Sequence, residues 1–251
     1  MQQLPFLFAA GLLAGAMNAL AGGGSFVSLP ALIAAGVPSV QANASSTVAL
    51  YPGGLASAWA YHHRLGSVCG IGMRPVLGVT VVGGLAGSLL LLWTPASAFN
   101  LILPWLLLLA TLALMFGRRI GAALRGRVHA RPGPVLLMQF VLGVYGGYFG
   151  GAVGLMMLAF WTMLGESDLK AMNGPRTLLV SAANTVAVLV FALAGVVRWP
   201  QTIIMLLGGA IGGYAGARLG RSIPPGVTRA LTLCFTAGIT AVFFIRAYLH
   251  G

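Results

Sequence analysis

The stretch AGAMNALAGGGSFVSLP, residues 14–30, lies in a run with no Asp, Glu, Lys or Arg before Arg64. Such a run is apolar enough to enter a bilayer, yet it carries Asn18, Gly22, Gly23, Gly24 and Ser25 near its middle. Irregular backbone at membrane depth is tolerated only where it is buried in protein or lines a cavity. A helix that breaks at glycines and restarts presents free N–H groups and a positive dipole end, which suits an anion. The stretch therefore reads as a broken helix pair rather than a simple span.

The rest of the chain agrees with a membrane setting. Of 251 residues, 59% are hydrophobic and 6% charged, against about 25% charged in an ordinary soluble domain. Charge-free runs separate Arg74 from Arg118, Arg131 from Glu166 and Arg176 from Arg198. A spanning helix needs roughly 20 mostly apolar residues, so these runs hold the crossings of an all-α polytopic membrane protein. The N-terminus lacks the positive region of a signal peptide. Cys69 and Cys234 match no metal or redox spacing and read as packing residues. No cofactor or metal is expected. The basic run RRIGAALRGRVHAR (118–131) contains no acid. Between spans it marks a cytoplasmic loop rather than a nucleic-acid surface.

A repeat underlies the chain. GGLAGSLLLLWTP (83–95) aligns with GGYAGARLGRSIP (212–224) at an offset of 212 − 83 = 129. The same offset pairs Gly22 with Gly151, Gly36 with Gly165 and Gly66 with Gly195. QANASST (41–47) faces AMNGPRT (171–177) one residue later, pairing Asn43 with Asn173 and Ser46 with Arg176. The organisation is a first repeat over 1–122, a basic linker over 123–131 and a second repeat over 132–251. Each copy holds five helical segments, about 4–21, 25–35, 44–61, 75–92 and 98–117, then 133–149, 155–165, 176–195, 201–217 and 226–248. Arginine placement sets their orientation. The loop 62–74 carries Arg64 and Arg74 while its counterpart carries Arg198; WTPAS (93–97) is uncharged while its counterpart carries Arg218 and Arg221. Opposite bias at matching loops means inverted topology, the plan of secondary transporters with a site near the midplane. The short second segment of each copy either crosses obliquely or is re-entrant, so broken or re-entrant helices meet at the repeat interface.

The candidate site follows from the breaks. Gly23, Gly24 and Ser25 in the first copy match Gly150 and Gly151 in the second. Asn43 and Asn173 each precede a third helix, either as caps or as amide donors to a substrate oxygen. Arg176 begins an otherwise uncharged helix where the first copy has Ser46. Its guanidinium either forks onto an oxyanion or reaches the interface. Asn18 and Asn184 sit in the middle of helices and either face the cavity or bond a neighbour. The chain has only two acids, Glu166 and Asp168, and a solvated loop is expected around them. Scarce acids with excess arginine fit an anionic substrate.

In order and spacing, AGAMNALAGGGSFVSLPALIAAGVPSVQANASSTVALYPG (14–53), GGYFGGAVGLMML and MNGPRTLLVSAANTVA resemble the two halves of the sulfite exporter TauE/SafE family of permeases. The resemblance covers essentially the whole chain. It implies transport of sulfur-containing anions such as sulfite, sulfoacetate or related sulfonates across the bacterial inner membrane, with the glycine and asparagine breaks as the anion site. Partners are then the small anion and the lipid bilayer, no nucleic acid, with a homodimer left open. The alternatives are a transporter of another small anion or solute, a non-transporting scaffold and an intramembrane serine hydrolase using Ser25 with His62 or His63. The hydrolase needs serine and histidine at one depth, whereas the histidines lie at a helix end. A metal-cation transporter lacks its carboxylates and Cys/His clusters.

Overall fold

The computed structural model describes residues 3–61, 63, 66–123, 131–166, 168, 171–219 and 225–248. Ten helices run in order: α1 Gln3–Ala21, α2 Ser25–Ala34, α3 Ser39–Ala60, α4 Met73–Trp93, α5 Ala96–Ala123, α6 Pro132–Tyr148, α7 Val153–Met163, α8 Asn173–Leu193, α9 Trp199–Leu219 and α10 Pro225–Tyr248. No strand is found among the described residues; Val68 and Ile71 form an isolated bridge. Six of the helices, α1, α4, α5, α8, α9 and α10, are long and apolar enough to cross a membrane. The protein is a multi-pass membrane protein. With 10 and 11 residues, α2 and α7 are too short to cross a hydrocarbon core of about 30 Å at 1.5 Å per residue.

The short helices end alike. After α2, Gly36 adopts φ +80° and Val37 N–H donates to Leu32 O at 3.0 Å. After α7, Gly165 adopts φ +103° and Glu166 N–H donates to Trp161 O at 3.1 Å. Glycine in the left-handed region closes both helices and pairs their last carbonyls. Three expected boundaries shift. Helix α3 begins at Ser39 rather than 44, because Pro38 precedes it and its carbonyl accepts from Ala42 N–H at 2.8 Å. A proline is suited to a helix start, where its missing N–H costs nothing. Asn43 therefore lies inside α3 and does not precede it. Helix α8 begins at Asn173 rather than 176. Helix α5 continues past 117 to Ala123, carrying Arg118 and Arg119 on its last turns. The basic stretch 124–130, His62, Arg64, Lys170 and Arg221 lie outside the described residues.

Two compact units cut across the sequence copies. Unit one comprises Met1–Gly53, Leu92–Thr111 and Phe191–Gly251; unit two comprises Gly54–Leu91 and Leu112–Val190. Within unit one, α1 packs on α9. A Cβ built on Gly212 would fall on Leu12 O, one on Gly216 within 2.7 Å of Ala16 Cα, and one on Gly15 on Gly209 O. Within unit two, α6 packs on α4. There a Cβ on Gly83 would lie 2.5 Å from Phe140 O, one on Gly87 would fall on Val144 O, and one on Gly143 would lie 2.8 Å from Thr80 O. These are the same contacts displaced along the chain, since 140 − 12 = 128 and 212 − 83 = 129. Helices in lipid associate by close van der Waals packing rather than by expelling water, and small residues allow it. The glycines of 83–87 and 212–216 are thus packing residues.

Polar side chains fasten each unit further. In unit one the hydroxyls of Thr111 and Thr240 lie 3.1 Å apart, and Trp105 Nε1 donates to Tyr248 Oη at 2.9 Å. In unit two Gln139 Nε2 donates to Thr80 Oγ1 at 3.0 Å, beside a core of Val76, Leu142, Met157, Trp161 and Leu179. Large apolar side chains such as Trp59, Trp93, Leu137, Leu193 and Leu231 point outward, as a lipid-facing surface requires.

Candidate functional site

The first-copy break is built inside unit one. Helix α1 ends at Ala21, Gly22 turns the chain with φ +73°, and α2 starts at Ser25. Gly22 N–H donates to Asn18 O at 3.0 Å, while Val27 and Ser28 N–H bond Gly24 O at 3.0 and 3.1 Å. A Cβ on Gly24 would lie 2.7 Å from Ala14 O and 2.9 Å from Asn18 Cβ, so Gly24 lets α2 restart against α1. Gly23 has room, with Thr232 Cγ2 as nearest neighbour at 3.5 Å. Asn18 and Ser25 are half-buried.

Helix α3 crosses α2 through hydroxyls. Ser28 and Ser46 place their Oγ atoms 2.6 Å apart, and Ser28 Oγ also donates to Gly24 O at 3.2 Å. The Ser28 proton is thereby committed, so Ser46 donates to Ser28. Asn43 is 2% exposed. Its carbonyl accepts from Thr47 Oγ1 at 3.0 Å. Ser28 was not singled out by the sequence, because one serine in an apolar helix has no periodic or spacing signature.

The second-copy break is built inside unit two. Gly150 adopts φ +77°, the counterpart of Gly22 rather than of the residue before it, so Gly22 pairs with Gly150 and not Gly151. Ala152 also lies in the left-handed region, φ +58°, directly before α7. Strained backbone of this kind persists only where the surroundings hold it. A Cβ on Gly151 would strike the Phe149 ring; one on Gly150 would sit 3.8 Å from Asn184 Oδ1. Asn184 thus faces the glycine break from the middle of α8, and its buried Oδ1 has no hydrogen-bond partner among the described residues.

Arg176 lies in the first turn of α8, beside the start of α7. A Cβ on Gly154 would touch its Cδ and Cγ at 3.3 and 3.4 Å. The arginine stem therefore lies along the second residue of α7, much as Ser46 reaches Ser28 on α2. Its guanidinium makes no hydrogen bond or ion pair among the described residues. Asn173 opens the same helix, its carbonyl accepting from Thr177 Oγ1 at 2.8 Å. The bond repeats that of Asn43 with Thr47, 130 residues earlier (173 − 43 = 130).

The two acids lie in the loop after α7, Glu166 half-buried and Asp168 exposed. Glu166 Oε1 accepts from Cys69 N–H at 2.8 Å, and Asp168 Oδ1 from Ala171 N–H at 3.0 Å. Both line a cavity of about 360 Å³ together with Gly66, Val68, Trp161 and Pro175. Burial, and then the Glu166 charge, push the Cys69 thiol up to about 12. No group of three or more metal-ligating side chains comes together among the described residues.

Comparison with known proteins follows the same lines. The family model described as "Sulfite exporter TauE/SafE" matches residues 7–243. The chain is 31% identical to "Probable membrane transporter protein YfcA" of Escherichia coli (strain K12), over 95% of this chain and 88% of that protein. It is 33% identical to "Probable membrane transporter protein ORF9" of Sinorhizobium sp, over 86% of this chain and 82% of that protein. A "Probable membrane transporter protein" of Haemophilus influenzae is 29% identical over 86% of this chain and 84% of its own length. No solved structure matches.

Proposed function

The chain belongs to the sulfite exporter TauE/SafE family, and from that premise we propose that this membrane transporter is a secondary permease for small sulfur-containing anions such as sulfite, sulfoacetate or related organosulfonates. The reading rests chiefly on Arg176. A half-buried guanidinium at the start of an apolar helix, with no acid paired to it among the described residues, is costly in a membrane unless something anionic meets it. Its planar fork matches two oxygens of a sulfite or sulfonate group. The Asn173 amide would add a donor to a third oxygen.

On this reading the candidate residues of unit one are Gly23, Ser25, Asn43 and Ser46, and separately those of unit two are Gly150, Gly151, Asn173, Arg176 and Asn184. The repeats are inverted in the membrane, as the arginine bias of their loops supports, and exchange access between its two faces. The setting is the bacterial inner membrane. The direct test is a panel of labelled solutes in proteoliposomes: sulfite, thiosulfate and sulfoacetate, against alkali cations and neutral amino acids. Saturable uptake confined to the sulfur anions supports the assignment. Uptake confined to a cation or a neutral solute overturns it.

A further inference from the structure

The loops that follow the third helix of each copy hold equivalent places. Val68 and Val197 are 197 − 68 = 129 residues apart and are 3% and 5% exposed. The next residue of each loop, Cys69 or Arg198, donates its backbone N–H to a side chain of the other copy, Glu166 just after α7 or Ser45 in the second turn of α3. Cys69 donates to Glu166 Oε1 at 2.8 Å, within unit two. Arg198 donates to Ser45 Oγ at 2.9 Å, within unit one, and its Nε adds a bond to Gln41 Oε1 at 2.6 Å. Each loop is thus a buried valine plus one side-chain latch.

The two latches differ in what lies behind them. In unit one the Ser45 hydroxyl and the long Arg198 side chain make the joint. In unit two the residue matching Ser45 is Pro175 (175 − 45 = 130), which has no hydroxyl, and the residue matching Arg198 is the short Cys69. The cavity of about 360 Å³ lies there, lined by Val68, Trp161, Glu166, Met172 and Pro175. Trp161 is 0% exposed and its Nε1 has no hydrogen-bond partner among the described residues. A buried indole N–H on a cavity wall is a donor awaiting a water or an anion oxygen. The cavity wall at Met172 and Pro175 flanks Asn173 and adjoins Arg176.

We propose that these two loops are the gates of the transport path: the Cys69–Glu166 latch closes a vestibule before Asn173 and Arg176, and Arg198 with Gln41 and Ser45 closes the equivalent approach to the first-copy break. The proposal rests on the permease reading. A latch of one or two hydrogen bonds exchanges readily for water, so a loop can lift its valine without unfolding a helix.

Thiol labelling tests this without any transported solute, so its failure is distinct from failure of anion uptake. The background is the full chain with Cys69→Ser and Cys234→Ser, which keeps the N–H at 69. Met172→Cys reports on unit two and Val197→Cys on unit one, each 5% exposed in the parent. The probe is a membrane-impermeant maleimide added to either face of proteoliposomes, with size-exclusion profiles to verify folding. Glu166→Ala is expected to speed labelling of Met172→Cys by about tenfold, the worth of one charge-assisted hydrogen bond, and to leave Val197→Cys unchanged. Gln41→Ala is expected to do the reverse. Glu166→Gln, which keeps an acceptor for Cys69, should hold the parent rate. Equal acceleration of both reporters, or acceleration of neither, overturns the proposal.

Discussion

The hydroxyls of Ser46 and Ser28 share a hydrogen bond of 2.6 Å, and this bond joins α3 to the short helix that restarts after the first glycine break. In the second copy the matching position is Arg176, whose stem lies on Gly154 of α7. One position in the repeat thus serves as a neutral internal fastener in one half and, in the other, as a cation with no acid paired to it among the described residues.

The serine pair is expected to respond asymmetrically to truncation. Ser46→Ala removes a donor but leaves Ser28 bonded to Gly24 O, while Ser28→Ala leaves a buried Ser46 hydroxyl without that acceptor. Ser28→Ala should therefore destabilise more than Ser46→Ala, with a coupling of about 0.5–1.5 kcal/mol in the double-mutant cycle. Thermal unfolding in detergent measures it. Equal single effects that add without coupling would remove the bond from consideration.

Glycines that look alike in the sequence should behave unlike one another. Gly87→Ala drives a methyl onto Val144 O and Gly212→Ala onto Leu12 O, where only backbone stands to yield. Each should cost about 1–3 kcal/mol or more, as overpacking does. Gly78, on the same helix as Gly87, has nothing within 4 Å of an added Cβ. Gly78→Ala should be neutral or stabilise by up to about 1 kcal/mol through helix propensity. A thermal shift of equal size at Gly78 and Gly87 would contradict the packing described.

Cys69 and Cys234 are expected to differ in reactivity. Cys69 is partly buried beside Glu166, and its thiol is pushed up to about 12; Cys234 is exposed. A raised thiol stays protonated at pH 8 and only gains thiolate as pH climbs toward that value, and the thiolate is the nucleophile. In proteoliposomes iodoacetamide should modify Cys69 slowly at pH 8 and faster as pH rises, whereas Cys234, midway along the membrane helix α10, should stay unmodified, as mass spectrometry reads. Glu166→Gln should speed Cys69 by removing the charge that opposes ionisation. A Cys69 rate in the parent that does not rise with pH would contradict this assignment.

Much of the fold is legible in the residues. Charge-free runs give the helices because a bilayer excludes charge, and the glycine spacing of 83–87 and 212–216 gives the repeat because close crossings demand small residues at fixed intervals. The start of α3 is less legible. Pro38 marks it, but the polar run through Asn43 disguises a helix as a loop until its burial is known. The latches are the least legible. They join Cys69 to Glu166 across 97 residues and Arg198 to Gln41 across 157, and no local pattern carries a contact of that range. The repeat offset does align Cys69 with Arg198, but side chains so different give no sign that both act through the backbone N–H. At the candidate site, Asn173 and Arg176 stand out because polar residues are rare in such helices, whereas Ser28 passes as one more small residue.

The most direct measurement compares sulfite, thiosulfate and sulfoacetate uptake in proteoliposomes for the parent, Arg176→Lys, Arg176→Ala and Asn173→Ala, each shown to be folded by size-exclusion chromatography. Saturable uptake of at least one anion is expected in the parent. Arg176→Ala should lower it by about tenfold or more, as loss of a charge-assisted pair does. Arg176→Lys should retain a part through its point charge, and Asn173→Ala should weaken apparent affinity. Full anion uptake in folded Arg176→Ala would contradict the placement of the anion at the second-copy break.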